Sequence, residues 1–278
     1  MSAATTEIPE ATEAPGGPAT YVVTLTDEEL AALGHAEGVA VLPYLADLDD
    51  TASDLVQATA LRGLVARGIV SPPEGGDPRP EVAGDRAEVD LLVRQDVLSV
   101  LTLRRAAPVA VAVARAGAAT QDFWYAHVVE EYVLLEEVTP DGQHRFALAR
   151  TASLGGLVEA AVLHPEAAAA ADGSEAPVTL RVPAGAGQAA GDLAVATAPP
   201  ELMARLGAAY LRSDVVVVRR DRGERAGELL GVFSGPTGCW TSTAVAGSGT
   251  VEVVATTPDA LRARLGSLTA SVETGGPR

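Results

Sequence analysis

The spacing of the hydrophobic residues changes along the chain, and the change predicts where helices give way to strands. Between residues 55 and 65 the apolar positions recur every three or four residues, which is the pattern of an amphipathic helix. From Val109 onward they alternate with small or polar residues, which predicts β-strands. Four such strands are expected, over residues 109–115, 123–129, 131–138 and 143–149. Pro140-Asp141-Gly142 is a turn signal that joins the last two in a hairpin.

Capping signals predict where the first helices begin and end. Thr26-Asp27-Glu28-Glu29 is a capping box, in which the Thr26 hydroxyl and the Glu29 carboxylate each accept from a free backbone N–H. Gly34 then ends that helix. Thr51 or Ser53 is expected to cap the next one.

Three later segments have weaker or different signals. A helix is expected over Arg86–Arg94, whereas residues 98–104 fit either a strand or the end of a helix. Pro200 is expected to begin a helix that runs to Tyr210 or beyond.

Two parts of the chain share one order of elements. In each, a hairpin is followed by a threonine and a helix, with Thr151 in the first part and Thr257 in the second. Either the chain contains an internal repeat or a common unit occurs twice by chance. On the repeat interpretation the chain divides into a disordered acidic tail, an N-terminal half, a C-terminal half and a short tail, over residues 1–20, 21–165, 166–270 and 271–278.

The strongly negative net charge of the chain argues against some classes of binding partner. All 20 basic residues are Arg, against 37 Asp and Glu, so the formal charge is -17. Such a field repels phosphate and argues against nucleic acid and anionic membrane surfaces as partners. Neither a signal peptide nor a membrane-spanning segment is recognisable, which predicts a cytoplasmic protein.

The histidines and the cysteine, residue types that often act in catalysis, do not occur in the spacings of known catalytic motifs. Four histidines occur without paired spacing and are interpreted as surface or hydrogen-bonded structural residues: His35, His127, His144 and His164. The single Cys239 is expected to be a buried structural thiol. We therefore predict no enzymatic activity, no cofactor and no metal site.

Carboxylate pairs and a glycine-rich turn also have ordinary structural interpretations. Strand alternation places the two members of Glu130-Glu131, and of Glu136-Glu137, on opposite faces, so neither pair can share a proton. A solvated sheet face is expected for them. Residues 235–238 lack the lysine of a phosphate-binding loop and are expected to be a hairpin turn.

Aromatic residues are rare, at 4% of the chain, but three of them are consecutive. Alternation along the strand sends Trp124 to one face and Phe123 and Tyr125 to the other. One face must pack in the core. The other either does the same or presents an aromatic patch that binds another protein.

Several segments resemble, in order and spacing, a family of secretion chaperones. Residues 23–30, Val-Thr-Leu-Thr-Asp-Glu-Glu-Leu, resemble the start of EspG proteins, the cytosolic chaperones of actinobacterial type VII (ESX) secretion systems. Leu42-Pro43-Tyr44, the helix of residues 58–68 and the hairpin and helix of residues 134–163 follow in the same order. The resemblance covers nearly all of the chain after residue 20. Gly238-Cys239-Trp240 stands where the family has Gly-Arg-Tyr.

The resemblance implies an α+β fold with a central antiparallel β-sheet and flanking helical bundles, in two quasi-repeated halves. It implies a chaperone, monomeric or homodimeric, that binds the helical tip of PE/PPE-type cargo and keeps it soluble before export. The departure at residues 238–240 leaves WXG-like cargo as an alternative. By position, the implied cargo-contacting residues are Arg115, Thr120, Gln121, Phe123, Trp124, Leu261, Leu265 and Leu268.

Two other functions remain open from the sequence. One is a small-molecule-binding protein or degenerate enzyme with a pocket between the halves. The other is a scaffold subunit of the secretion apparatus. A pocket with converging titratable groups favours the first, and stable association with a membrane-embedded apparatus favours the second.

Overall fold

The structure is a computed structural model, which describes most of the chain in nine segments. These are residues 19–35, 37–45, 48–71, 92–117, 120–167, 177–181, 199–219, 229–245 and 250–273. Residues 1–18 of the predicted N-terminal tail, most of the predicted helix over Arg86–Arg94 and residues 274–278 lie outside the described residues, whereas Thr20 lies in a strand and residues 271–273 lie in a helix.

In the described part of the chain, three helices and three strands are interspersed before residue 108, and strands predominate after it. The strands are β1 Thr20–Thr26, β2 Val70–Ser71, β3 Leu92–Val93, β4 Val109–Ala116, β5 Gln121–Val129, β6 Tyr132–Val138, β7 Gln143–Arg150, β8 Val178–Arg181, β9 Leu211–Arg219, β10 Leu230–Gly235, β11 Gly238–Val245 and β12 Thr250–Thr256. The helices are α1 Asp27–Ala32, α2 Asp50–Ala66, α3 Gln95–Ala106, α4 Leu154–Val162, α5 Pro200–Gly207 and α6 Pro258–Glu273.

Among the described residues, ten strands form one antiparallel sheet in the order β1-β7-β6-β5-β4-β9-β10-β11-β12-β8. β4 and β9 are the central pair, with Val109 opposite Arg219 and Ala116 opposite Arg212. On each side of this pair three consecutive strands lead outward, and the edge is closed by the first strand of that half, β1 or β8. This strand order is the one that an internal repeat predicts, and the α+β fold class is confirmed.

The sheet is packed between helices on both faces. On one face the main core joins α4 and α6 to the central strands, and includes Leu154, Val158, Leu261 and Leu265. On the other face α1, α2 and α3 cover the first half around Phe146. Leu202 and Leu206 of α5 cover the second half. The β-strands and α4, α5 and α6 thus bury the apolar face or stripe that their periodicity predicts, whereas α2 buries only Leu64 of its stripe and leaves Leu55 and Val65 exposed.

The local signals are confirmed where the interaction lies within a few residues. The Thr26 hydroxyl accepts from the Glu29 N–H at 3.3 Å, and the Glu29 carboxylate accepts from the Thr26 N–H at 3.1 Å. Gly34, just beyond α1, has φ of 75°, a conformation that glycine adopts without strain. Gly142 has φ of 71° in the predicted hairpin turn, and a Cβ there would overlap the ring of Tyr44.

Three predicted boundaries are wrong, and one ambiguous segment is resolved. Asp49 caps α2 and accepts from the Ala52 N–H at 2.8 Å, so neither Thr51 nor Ser53 is the cap. Leu92–Val93 is a short strand paired with β2, not the end of a helix. α5 ends at Gly207, because the backbone N–H of Tyr210 already bonds to β10. The ambiguous segment 98–104 is helical, within α3.

Candidate functional site

The described residues of the connection between β4 and β5, Gly117 and Thr120, lie at one end of the central strands and are exposed. The Gly117 N–H donates to the Thr120 carbonyl at 2.9 Å and closes the turn. Thr120 and Gln121 are exposed, and a Cβ on Gly117 would lie 3.9 Å from the carbonyl of Tyr210. Together with Tyr210 these three residues form what we call the turn surface.

Tyr210 supplies the apolar part of the turn surface. Its side chain is 41% exposed, although tyrosine rings are usually more buried. The centre of its ring lies 5.1 Å from that of His164, and the backbone N–H of Tyr210 donates to the Ser234 carbonyl at 2.9 Å. An aromatic side chain held by its backbone and its neighbour is suited to contact another protein at low entropic cost.

Arg115 holds the strand ends beside the turn in place. Its guanidinium donates to Asp122 from Nε and to Glu137 from Nη2, each at 2.5 Å, and so ties β4 to β5 and β6. Burial alone would lower the pKa of Arg115, but these two carboxylates outweigh it and raise the pKa. Arg115 therefore holds the turn in position, and its Nε and Nη2 atoms are already bonded to carboxylates.

The eight residues predicted to contact cargo do not share one surface. Leu261 and Leu265 have 0% and 1% of their surface exposed and lie in the main core, as does Trp124 at 7%. Leu268 packs against the edge of that core. Leu261, Leu265 and Trp124 thus offer little accessible surface to a partner in the folded protein, and Leu268 offers part of its side chain. At the β4–β5 end, Thr120 and Gln121 are exposed, and Arg115 and Phe123 are half-buried.

The consecutive aromatics divide between faces as alternation predicts. Trp124 packs in the main core, and Tyr125 and Phe123 lie on the opposite face with Ala40 and Val138. Tyr125 is buried, and its Oη accepts from the Val41 N–H at 3.2 Å. Burial is the first cause that raises the pKa of Tyr125, to about 12. The face that could have formed an aromatic patch is thus mostly covered by residues 39–41.

A second site, which the sequence did not predict, is a network of charged side chains inside the first half. Its five members have between 0% and 2% of their surface exposed: Asp27, Arg104, His127, Glu136 and His144. We call them the buried network. They come from α1, α3, β5, β6 and β7, so the network joins the helical layer to the sheet.

Glu136 is the centre of the buried network. One carboxylate oxygen lies 2.7 Å from His144 Nδ1, and the other lies 2.6 Å from His127 Nε2 and 3.0 Å from Arg104 Nε. Burial alone would raise the pKa of Glu136, but these hydrogen bonds and charges outweigh it and hold the pKa well below the ordinary value. The predicted solvated position of Glu136 is therefore wrong, while its separation from Glu137 onto the other face is confirmed.

His144 is held between two carboxylates. Its Nδ1 faces Glu136 and its Nε2 lies 2.6 Å from an oxygen of Asp27. Carboxylates only accept hydrogen bonds, so both ring nitrogens carry protons and the ring is positively charged. Burial would lower the pKa of His144, but the two carboxylates outweigh it and raise the pKa. Arg104 and His144 thus balance Asp27 and Glu136.

The buried network also fastens the segment that follows α1. Arg104 Nη1 donates to the His35 carbonyl at 3.0 Å, and Asp27 accepts from the Tyr44 N–H at 2.7 Å. The Tyr44 hydroxyl donates to the Pro140 carbonyl at 2.9 Å. This segment and α3 enclose an open cavity of about 300 Å³, lined by Gly34, His35, Glu37, Gly38, Arg104 and Arg105. It lies within the first half and not between the halves.

The free energy of unfolding is expected to be greatest near pH 6.5, the ordinary pKa of histidine. His144, with its raised pKa, stabilises the fold fully below pH 6.5, and this stability is lost as pH rises through the folded pKa. Burial, followed by the charges of Arg104 and Arg105, lowers the pKa of His35. Stability therefore also falls below pH 6.5, because the unfolded state protonates His35 more readily.

Urea denaturation across pH tests this expectation with two variants. H144Q should remove the decline above pH 6.5, where the proton held by Asp27 and Glu136 is otherwise lost. H35Q should remove the loss of stability that begins just below pH 6.5. The further loss at more acidic pH should remain, because it comes from protonation of Glu136, whose pKa lies below its ordinary value. A stability that keeps rising from neutral to alkaline pH would contradict a charged His144.

Cys239 is buried, as predicted, and burial raises the pKa of its thiol. Within the described residues, no group of three or more His, Cys, Asp or Glu is arranged to hold a metal ion. In the same part of the chain, no helix has the length and apolarity needed to cross a bilayer.

The chain was compared with known proteins in three ways. No family model matches it, and the comparison with curated proteins found no match. Its fold is similar to a solved structure of the Mycobacterium tuberculosis type VII secretion system chaperone EspG5 in complex with the PE25–PPE41 dimer, with 12% sequence identity and a TM-score of 0.49. The similarity covers 88% of this chain and 95% of the other. It is a similarity of fold between distant sequences, and it assigns no residue of this chain a role.

Proposed function

We propose that this protein is a non-enzymatic chaperone that binds helical cargo of a type VII secretion system in the cytoplasm and keeps it soluble before export. The cargo would be of the PE/PPE kind or WXG-like. One observation carries the proposal. The EspG resemblance assigns residues 115–121 to cargo contact, and the described residues of that segment lie at the end of the two central strands, where Thr120 and Gln121 are exposed.

The chemistry of the turn surface suits such a role. Thr120 and Gln121 offer uncharged polar groups, Tyr210 offers an exposed ring, and Arg115 keeps the strand ends fixed through its two ion pairs. A rigid aromatic residue next to adaptable polar groups resembles the centre and rim of protein interfaces. A chaperone needs this arrangement and not titrating groups.

Co-expression with helical PE/PPE-like or WXG-like proteins encoded beside this chain tests the proposal. We expect one of them to become soluble and to elute with this protein as a 1:1 or 1:1:1 complex. T120R should weaken the complex about tenfold or more, because a long charged side chain would be forced into a packed contact. The affinity is measured by calorimetry.

T102R is the matched control, since Thr102 is an exposed residue of α3 on a different element. It makes the same substitution and should leave the affinity unchanged. If no cargo protein co-purifies, the chaperone function is wrong. If cargo binds but both variants bind it equally, the function stands and the turn surface is not the contact.

A further inference from the structure

Helix α2 presents a continuous exposed face. Over residues 51–66 only Leu64 is fully buried. Exposed side chains recur every three or four residues along one side of the helix: Thr51, Asp54, Leu55, Ala58, Thr59, Arg62 and Val65. Leu55 is 68% exposed and Val65 is 44% exposed. A 17-residue helix with so little buried surface gains little from packing within its own chain.

We propose that two copies of this protein associate through α2, packed antiparallel about a two-fold axis at Ala58. In such a pair, a residue a given number of positions before Ala58 lies opposite the residue the same number after it in the second copy. Asp54 and Arg62 are each four positions from Ala58. The symmetry therefore places Asp54 of each copy opposite Arg62 of the other and forms two ion pairs.

The charged groups needed for these pairs are available. Within the described part of the chain, Asp54 makes no ion pair, and Arg62 contacts the Thr59 hydroxyl at 3.3 Å. An antiparallel arrangement also sets the half of each helix that carries Asp54 against the half of the other that carries Arg62, and it opposes the two helix dipoles favourably. A parallel arrangement would set Asp54 against Asp54, so the charge pattern selects the antiparallel one.

The apolar residues fit the same axis. Ala58 is small, which allows the helices to approach to about 8 Å at the crossing point. Thr51 lies opposite Val65 of the second copy, and Leu55 lies opposite Leu61, a half-buried side chain that also packs against the core of its own copy. These side chains are complementary to their own sequence when it runs in the opposite direction. This favours a second copy of the chain over an unrelated helix, which would have to carry a matching order of charged and apolar residues by chance.

The dimer should be weak and reversible. A single pair of helices buries less than the roughly 800 Å² per partner of a standard interface, and each copy carries a formal charge of -17. The turn surface lies where β4 connects to β5 and just before β9, and α2 contributes no residue to it. The inference is thus independent of the proposed function.

Sedimentation equilibrium of the full chain over a wide concentration range tests the dimer. The wild type should show a concentration-dependent monomer–dimer equilibrium. D54R and R62D alone should each weaken it about tenfold or more, since symmetry makes two like-charge contacts from one substitution. An equimolar mixture of the two variants should dimerise again. In the mixed pair the two substituted side chains face each other with opposite charges, and so do the two native ones.

A second pair of variants separates the interface from general surface effects. L55S should weaken dimerisation, whereas L98S, which removes an exposed leucine of α3, should leave it unchanged. Thermal unfolding of every variant confirms that it is folded. A wild type that stays monomeric at all concentrations would overturn the proposal, as would a dimer that D54R and R62D do not affect or an equimolar mixture that fails to restore it.

Discussion

E136Q is expected to lower the free energy of unfolding by about 3 to 5 kcal/mol, the cost of leaving buried charges without their partner. Glu136 has no exposed surface, and its carboxylate accepts from Arg104, His127 and His144. The amide of glutamine removes the negative charge and turns one acceptor oxygen into a donor that faces other donors. Urea denaturation near pH 6.5 measures the loss.

The neighbouring E137Q is the matched control for this prediction. Glu137 undergoes the same change of side chain on the other face of β6, where it is 39% exposed and bound to Arg115. We expect a loss within about 1 kcal/mol, because water compensates an exposed ion pair. Equal effects of the two variants would show that the buried network contributes no more than a surface pair.

L261A is expected to lower the free energy of unfolding by about 2 to 5 kcal/mol through loss of burial and formation of a cavity. Leu261 has no exposed surface and packs in the main core, which α4 and α6 share. Because the side chain lies inside the protein, its loss should act on cargo only by reducing the folded fraction. Thermal denaturation without cargo measures the effect.

L268A tests whether depth in the core sets the size of this effect. Leu268 is half-buried at the edge of the same cluster, so its truncation should cost less than that of Leu261. If L261A kept the wild-type stability yet lost cargo, Leu261 would be a contact residue and its placement in the core would be wrong.

The sequence predicted best the features that depend on neighbours in the chain. The capping box at Thr26 and the turn at Pro140–Gly142 form as expected, because all of their hydrogen bonds lie within a few residues. The start of α2 was placed a few positions too late, since Ser53, Thr51 and Asp49 are all acceptable caps and the backbone path decides among them.

The candidate sites were predicted only in part. Alternation correctly separated Trp124 from Phe123, and Glu136 from Glu137, because successive residues of a strand face opposite ways. It could not tell which face would be covered. The 3.6-residue period likewise identified Leu261 and Leu265 as one face of a helix, and that face proved to be the one that packs inward.

By itself, the sequence determined most of the segments that become helices and strands, the order of the two similar halves and the side of each element on which a residue lies. These follow from local backbone preferences and from the period of each element. Only the tertiary structure decided that β4 pairs with β9 across about a hundred residues, and that α1 and α3 cover Glu136. Asp27, Arg104 and His144 meet there because long-range packing removes water from that face, and no pattern of neighbouring residues records which distant surface will do so.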